Sequence, residues 1–239
     1  MAQILAAFGS ALRDLREPRI LALALLPPAA ALAVWFALAW AYADDWARIV
    51  ANSIASTPWL AWIGDWGLSS VFVWASGIAA FALLVPVMLI TAVLVTGIVA
   101  MPVIVPWVGK RDFPQLEQRQ GLTAAGSVMN AVKASLQFAG LWLLTLPLWL
   151  TGVGALLLPA FLSARFNGCV FRYDALAEHA SAAEYARVVD GAGGKLFGLG
   201  LLLSACYYVP VFNLAVPVLS GLAYTHLCLA ELARLRQKA

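Results

Sequence analysis

Residues 208–217 read YVPVFNLAVP, and they interrupt the chain's last uncharged run, Leu196 to Thr225, with two prolines and an asparagine. Proline lacks a backbone donor and clashes with the preceding helical turn, while asparagine favours caps and turns. An unbroken helix is therefore not expected here. Whether the stretch reverses the chain or only kinks a helix decides the topology.

The surrounding composition sets the class. Of 239 residues, 63% are hydrophobic and 11% charged, with a mean hydropathy of +0.88. Four stretches lack charged residues and histidine: Ile20 to Ala43, Leu68 to Val108, Ala134 to Ala164 and Leu196 to Thr225. Each exceeds the roughly 20 residues that span hydrocarbon as a helix. The Leu/Ala-rich runs have no polar alternation of the barrel-strand kind, so the backbone must satisfy itself in helices. The expected fold is an all-α integral membrane protein. Ala41-Tyr42-Ala43 before Asp44 is similar to a signal-peptidase site, but the apolar run before it is about twice a signal h-region and follows a charged leader, so an uncleaved first span is expected. Cys169, Cys206 and Cys228 lack ligand spacing and read as packing residues. A net charge of +3 without a basic, aromatic-interleaved run gives no sign of a nucleic-acid partner.

Charge placement sets the topology. Arg13, Arg16 and Arg19 precede the first stretch; Lys110, Arg111, Arg119 and Lys133 follow the second; Arg165, Arg172, Arg187 and Lys195 follow the third; Arg234, Arg236 and Lys238 follow the fourth. The loop at 44–67 holds only Arg48 beside Asp44, Asp45 and Asp65, so it is the external one and both termini are cytoplasmic. With one external loop and four stretches, the third and fourth must start and finish inside. The expectation is two spans, 20–43 and a long 68–108, plus two re-entrant hairpins, 134–164 and 196–230. The cytoplasmic parts are 1–19, 109–133, 165–195 and 231–239. Pro147, Gly152, Gly154 and Pro159 in the third stretch, and Pro210, Asn213 and Pro217 in the fourth, supply the turn chemistry. A kinked single span is the alternative for each.

Gly97, Pro102 and Pro106 predict a bend late in the second stretch, because 41 helical residues would reach about 60 Å against hydrocarbon near 30 Å. Trp40, Trp46, Trp59, Trp62 and Trp66 suit headgroup depth. Ile4, Phe8, Leu12 and Leu15 form one face of an interfacial leader helix. Ser181 and Glu184 have capping-box spacing and open a helix expected to end near Gly191-Ala192-Gly193-Gly194, a joint before the last hairpin.

Enzyme chemistry is poorly supported. Ala75-Ser76-Gly77 with His226 is similar to part of an intramembrane serine protease, but Trp74 replaces the preceding glycine. Tyr173-Asp174 lacks a second carboxylate, and His179 reads as a solvated helix residue. No cofactor or metal is expected. No carboxylate lies inside an apolar stretch, which disfavours a proton relay or cation path. An anion is compatible, because a helix starting inside the bilayer presents free N–H groups and a positive dipole end. Asn213, Leu214 and Ala215 would stand at such an end. The plainer alternative is that Asn213 only caps the returning helix.

Phe171-Arg172-Tyr173-Asp174-Ala175-Leu176-Ala177-Glu178-His179-Ala180, the glycine-rich joint, Leu196-Phe197-Gly198 and Val209 to Pro217 together resemble the CysZ-like, etoposide-induced membrane protein family. The resemblance implies long transmembrane helices plus two partly penetrating hairpins, homo-oligomers in the bacterial inner membrane, and sulfate uptake for cysteine synthesis. It also implies an oxyanion contact at the start of the first helix. Of the Gly-Leu-Arg-like turn expected there, Glu17-Pro18-Arg19-Ile20 retains only Arg19, and Pro27-Pro28-Ala29-Ala30-Ala31 replaces a Pro-x-x-x-Asn. A guanidinium at a helix start can hold a tetrahedral oxyanion bidentately; its alternative role is a topological anchor. The expected function is an inner-membrane anion conduit, sulfate first, with Arg19 and the 213–215 apex as contacts. The alternative is a non-transporting membrane protein whose segment 165–195 docks a partner.

Overall fold

The computed structural model describes residues 1–42, 45, 48–49, 52, 56, 86–88, 90–209 and 215–238. Regular structure among them is helical: α1 (Ala2–Asp14), α2 (Pro18–Ala41), α3 (Pro86–Val99), α4 (Met101–Asp112), α5 (Ala124–Trp149), α6 (Val153–Ala177), α7 (Ala182–Cys206) and α8 (Val216–Gln237). Five of these, α2 and α5 to α8, are long and apolar enough to cross a membrane. The protein is a multi-pass membrane protein.

The chain forms two compact units, one of Met1–Ala29 with Ala92–Ala239 and one of Ala30–Thr91. In the smaller unit the exposed Trp40 and an Arg48–Asp45 ion pair of 2.7 Å are described. Trp46, Trp59, Trp62, Trp66 and Ser76 lie outside the described residues, as does most of the expected external loop.

In the larger unit α8 is the core. From Val216 to Leu229 it is buried on every side, with Leu219, Leu222, Ala223, Tyr224 and Leu229 fully buried, because α1, α4, α6 and α7 all pack on it. Ahead of it, α3 and α4 are bent by 52° at Ala100, where Pro102 opens α4. The bend expected from Gly97 and Pro102 is present.

The third stretch is folded in two. α5 and α6 pack against each other along their length and turn at 150–152, where Gly152 takes φ +70°. A side chain at Gly154 would meet the Leu148 carbonyl oxygen at 2.0 Å, so the chain can reverse this tightly only with glycine there. Thr151 Oγ1 accepts from the Gly154 N–H at 3.0 Å and closes the turn. Pro147 and Pro159 stay inside helices.

In the fourth stretch α7 and α8 pack side by side, Tyr224 donating to the Leu196 carbonyl, and residues 210–214 between them lie outside the described residues. The expected joint at Gly191–Gly194 does not form. The capping box is present, with Ser181 and Glu184 bonding reciprocally at 2.8 and 3.2 Å, but the helix it opens runs on through the glycines to Cys206. Val188, Ala192, Leu196 and Leu199 form a continuous buried face, and Lys195 reaches Glu231 of α8 at 2.9 Å. Tertiary packing on both sides of the glycines outweighs their roughly 1 kcal/mol helix cost per residue. In α1 the buried face is Ile4, Ala7, Ala11 and Asp14. Phe8, Leu12 and Leu15, expected on that face, are half-buried.

Candidate functional site

Arg19 stands in the first turn of α2, exposed, with no hydrogen bond or ion pair to a described residue. Ala215 is the N-cap of α8 and is buried. It begins the returning helix, and Pro217 follows in that helix's first turn. Asn213 and Leu214 lie outside the described residues. Nothing described brings Arg19 and Ala215 together. Arg19 follows Asp14 closely in the chain, and Asp14 bonds His226, whereas Ala215 precedes His226 on α8 by about 16 Å of helix axis.

His226 and Asp14 belong to a charge cluster that sequence separation hides. Asp14 Oδ2 lies 2.8 Å from His226 Nε2 and accepts from the Arg111 guanidinium at 2.7 Å. Asp112 accepts from Arg111 at 2.7 Å and sits 3.7 Å from His226 Nδ1. The Asp14, Asp112 and His226 ligand atoms all fall within 4.8 Å of one another, a spacing a metal could use. Arg111 and Arg13 already occupy the carboxylates, so the cluster is neutralised by its own side chains and ties α1 and α4 to α8.

A second clasp closes the same region. Glu184 accepts from Arg119 and Arg236, each at 2.9 Å, and Arg236 also donates to the His179 carbonyl at 2.7 Å. His179 is buried, not solvated as expected, and its Nδ1 has no partner. Asp174 accepts from the Ser127 hydroxyl.

Deeper in the bundle lies a set of polar residues without charges. Ser163 and Asn167 of α6, Ser204 of α7 and Ser220 of α8 are all buried. Asn167 Nδ2, Ser204 Oγ and Ser220 Oγ have no hydrogen-bond partner. Tyr224 donates to the Leu196 carbonyl at 3.0 Å, and a Cβ on Gly200 would lie 2.7 Å from the Ala164 oxygen, a register that sets Ser163 and Ser220 near the level of Gly200 and Ser204 one turn further along α7. Asn167 is one turn away along α6. Buried polar atoms left unpaired cost about 1–3 kcal/mol each and call for a water or solute partner. Their donors are neutral hydroxyl and amide groups, with no carboxylate among them. Sequence reading missed this seam because a single serine or asparagine in an apolar run is indistinguishable from a helix-packing residue.

The family model described as Sulfate transporter CysZ/Etoposide-induced protein 2.4 matches residues 7–217. The chain belongs to this family. The match reaches from α1 to the first turn of α8 and includes the seam residues Ser163, Asn167 and Ser204, while Ser220 and His226 lie beyond it. No curated protein and no solved structure matches the chain. The family's description is that of a transporter, not of an enzyme.

Proposed function

We propose that the protein is an inner-membrane conduit for a small oxyanion, sulfate first, with both termini cytoplasmic. The observation that carries the reading is the set of buried polar groups at Ser163, Asn167, Ser204 and Ser220, with Asn167 Nδ2, Ser204 Oγ and Ser220 Oγ lacking hydrogen-bond partners and no carboxylate among them, in a chain of the sulfate-transporter family. Neutral donors in a low-dielectric core favour an anion and repel no charge of that sign. Arg19, unpaired at the start of α2, is the proposed entry contact, and Asn213, Leu214 and Ala215 are proposed to line the path. Homo-oligomers are proposed on the family resemblance.

The hairpins are proposed to be re-entrant. Lys133 and Arg165 bracket the apolar part of the first, leaving uncharged arms of Ala134–Trp149 and Val153–Ala164. These arms measure about 24 and 18 Å, short of a hydrocarbon core near 30 Å. The test is labelled-sulfate uptake into proteoliposomes, beside Arg19→Ala and empty vesicles. Uptake above empty vesicles that falls in the variant supports the conduit with its entry contact; no uptake by well-folded protein removes it. For topology, a cysteine at Thr151 that reacts with an impermeant external reagent would rule out the re-entrant hairpin.

A further inference from the structure

α5, α6 and α7 line an open-sided cavity of about 490 Å³ whose lining includes Asn130, Lys133, Gln137, Arg165, Arg172 and Gly193 and contains no Asp or Glu. Several basic groups meet a carboxylate, Arg111 with Asp14, Arg119 and Arg236 with Glu184 and Lys195 with Glu231, while Lys133 and Arg165 are exposed and Arg172 is half-buried. These three, in the cavity, meet no carboxylate among the described residues. Lys133 and Arg165 make no ion pair or hydrogen bond to a described residue. Arg172 has a buried Nε without a partner, and its guanidinium otherwise meets the Cys169 sulfur at 3.8 Å and the Tyr185 hydroxyl, neither of them a carboxylate.

Three like charges converging on one concavity repel one another, and a buried guanidinium N–H without an acceptor is costly, so the arrangement is stable with an anion between them. Lys133 and Gln137 are one helical turn apart on α5, and Arg165 and Arg172 are two turns apart on α6, so each pair projects from one face. The space in front of Gly193 on α7 is open, since a Cβ there would meet nothing within 4 Å, so a larger side chain can project into it.

We propose that this cavity is a binding site for a tetrahedral oxyanion, a sulfate or a phosphate group, held by Lys133, Arg165 and Arg172. Two guanidinium forks and an ammonium match a tetrahedral oxyanion's acceptors. Lys133 and Arg165 flank the apolar stretch Ala134 to Ala164 and so stand at headgroup depth, where the group is either free in solution or carried by an anionic lipid. The site does not rest on the conduit reading, because binding here requires no flux.

The test uses the purified full-length chain in detergent at low ionic strength. Labelled-sulfate binding and retention of phosphatidylglycerol in native mass spectrometry are measured for wild type, for Arg165→Gln/Arg172→Gln and for Gly193→Leu. Gly193→Leu fills the cavity without altering charge. The expected result is that sulfate binding or lipid retention falls at least about tenfold in both variants, in line with the loss of charge-assisted bonds, while their unfolding midpoints stay near wild type. A fall in sulfate binding identifies a free anion, and a fall in lipid retention identifies a headgroup. The proposal is overturned if wild type binds neither, if both variants bind as wild type does, or if only the charge variant is affected. Saturable sulfate binding without uptake into vesicles would remove the conduit and leave this site standing.

Discussion

His226 Nε2 lies 2.8 Å from Asp14 Oδ2, joining residues 212 positions apart and fastening the N-terminal helix to the central one. Both side chains are buried, at 6% and 1% exposure. Asp14 also receives Arg111 at 2.7 Å, so it anchors α1 to α4 and α8 together. Asp14→Ala should lower stability by about 1–3 kcal/mol, the range for a lost charged hydrogen bond with a partner left behind. Arg16→Ala, an exposed change two positions on, should leave it within about 0.5 kcal/mol. Denaturant unfolding in detergent, followed by tryptophan fluorescence, checks both; equal midpoints for the two variants would refute the anchor.

The turn at 150–152 gives a sharper contrast. A methyl group at Gly154 would press on the Leu148 carbonyl at 2.0 Å, whereas one at Gly140 meets nothing within 4 Å. Gly154→Ala should therefore destabilise by about 1–3 kcal/mol as the turn opens. Gly140→Ala, in mid-helix, should stabilise by about 0.5–1 kcal/mol through helix propensity. The opposite signs are read from unfolding midpoints under one condition.

Protonation of His179 should weaken the clasp at the α6–α7 junction. Burial, with the Arg236 guanidinium adding to it, holds this imidazole below its ordinary value. The unfolded chain therefore takes up the proton first. The residue's contribution is complete above about pH 6.5 and is lost as pH falls below that value toward the depressed folded one. Comparing unfolding midpoints at pH 7.5 and 5.5, wild type should lose more stability on acidification than His179→Gln. An equal loss in the two would remove His179 from the account.

Much of this organisation was legible in the chain. The four uncharged stretches gave the helical membrane class, and Ser181 with Glu184 gave the start of α7. Pro147, Gly152, Gly154 and Pro159 located the first hairpin, but which of them turns the chain depends on the approach of Gly154 to the Leu148 carbonyl, a three-dimensional fact. The glycine run at 191–194 misled, because local propensity loses to a buried face that continues from Val188 to Leu199. The cluster of Asp14, Arg111, Asp112 and His226 could not be read at all, since nothing in the sequence pairs position 14 with position 226. The cavity cations were visible only as topological anchors; their convergence depends on how α5 and α6 pack.

The seam offers the prediction that bears most directly on transport. Asn167 Nδ2 is buried without a hydrogen-bond partner of good geometry, and the same side chain faces the Tyr207 hydroxyl, so an apolar replacement of similar volume removes one unpaired group and one polar contact together. Asn167→Leu should stay within about 1 kcal/mol of wild-type stability. If the seam lines the anion's path, the same change deletes a donor from it, and sulfate uptake into proteoliposomes should fall about tenfold or more. Uptake then falls without a matching loss of stability, which a purely structural asparagine would not produce. Uptake at the wild-type rate in a well-folded Asn167→Leu protein would take the path elsewhere in the bundle.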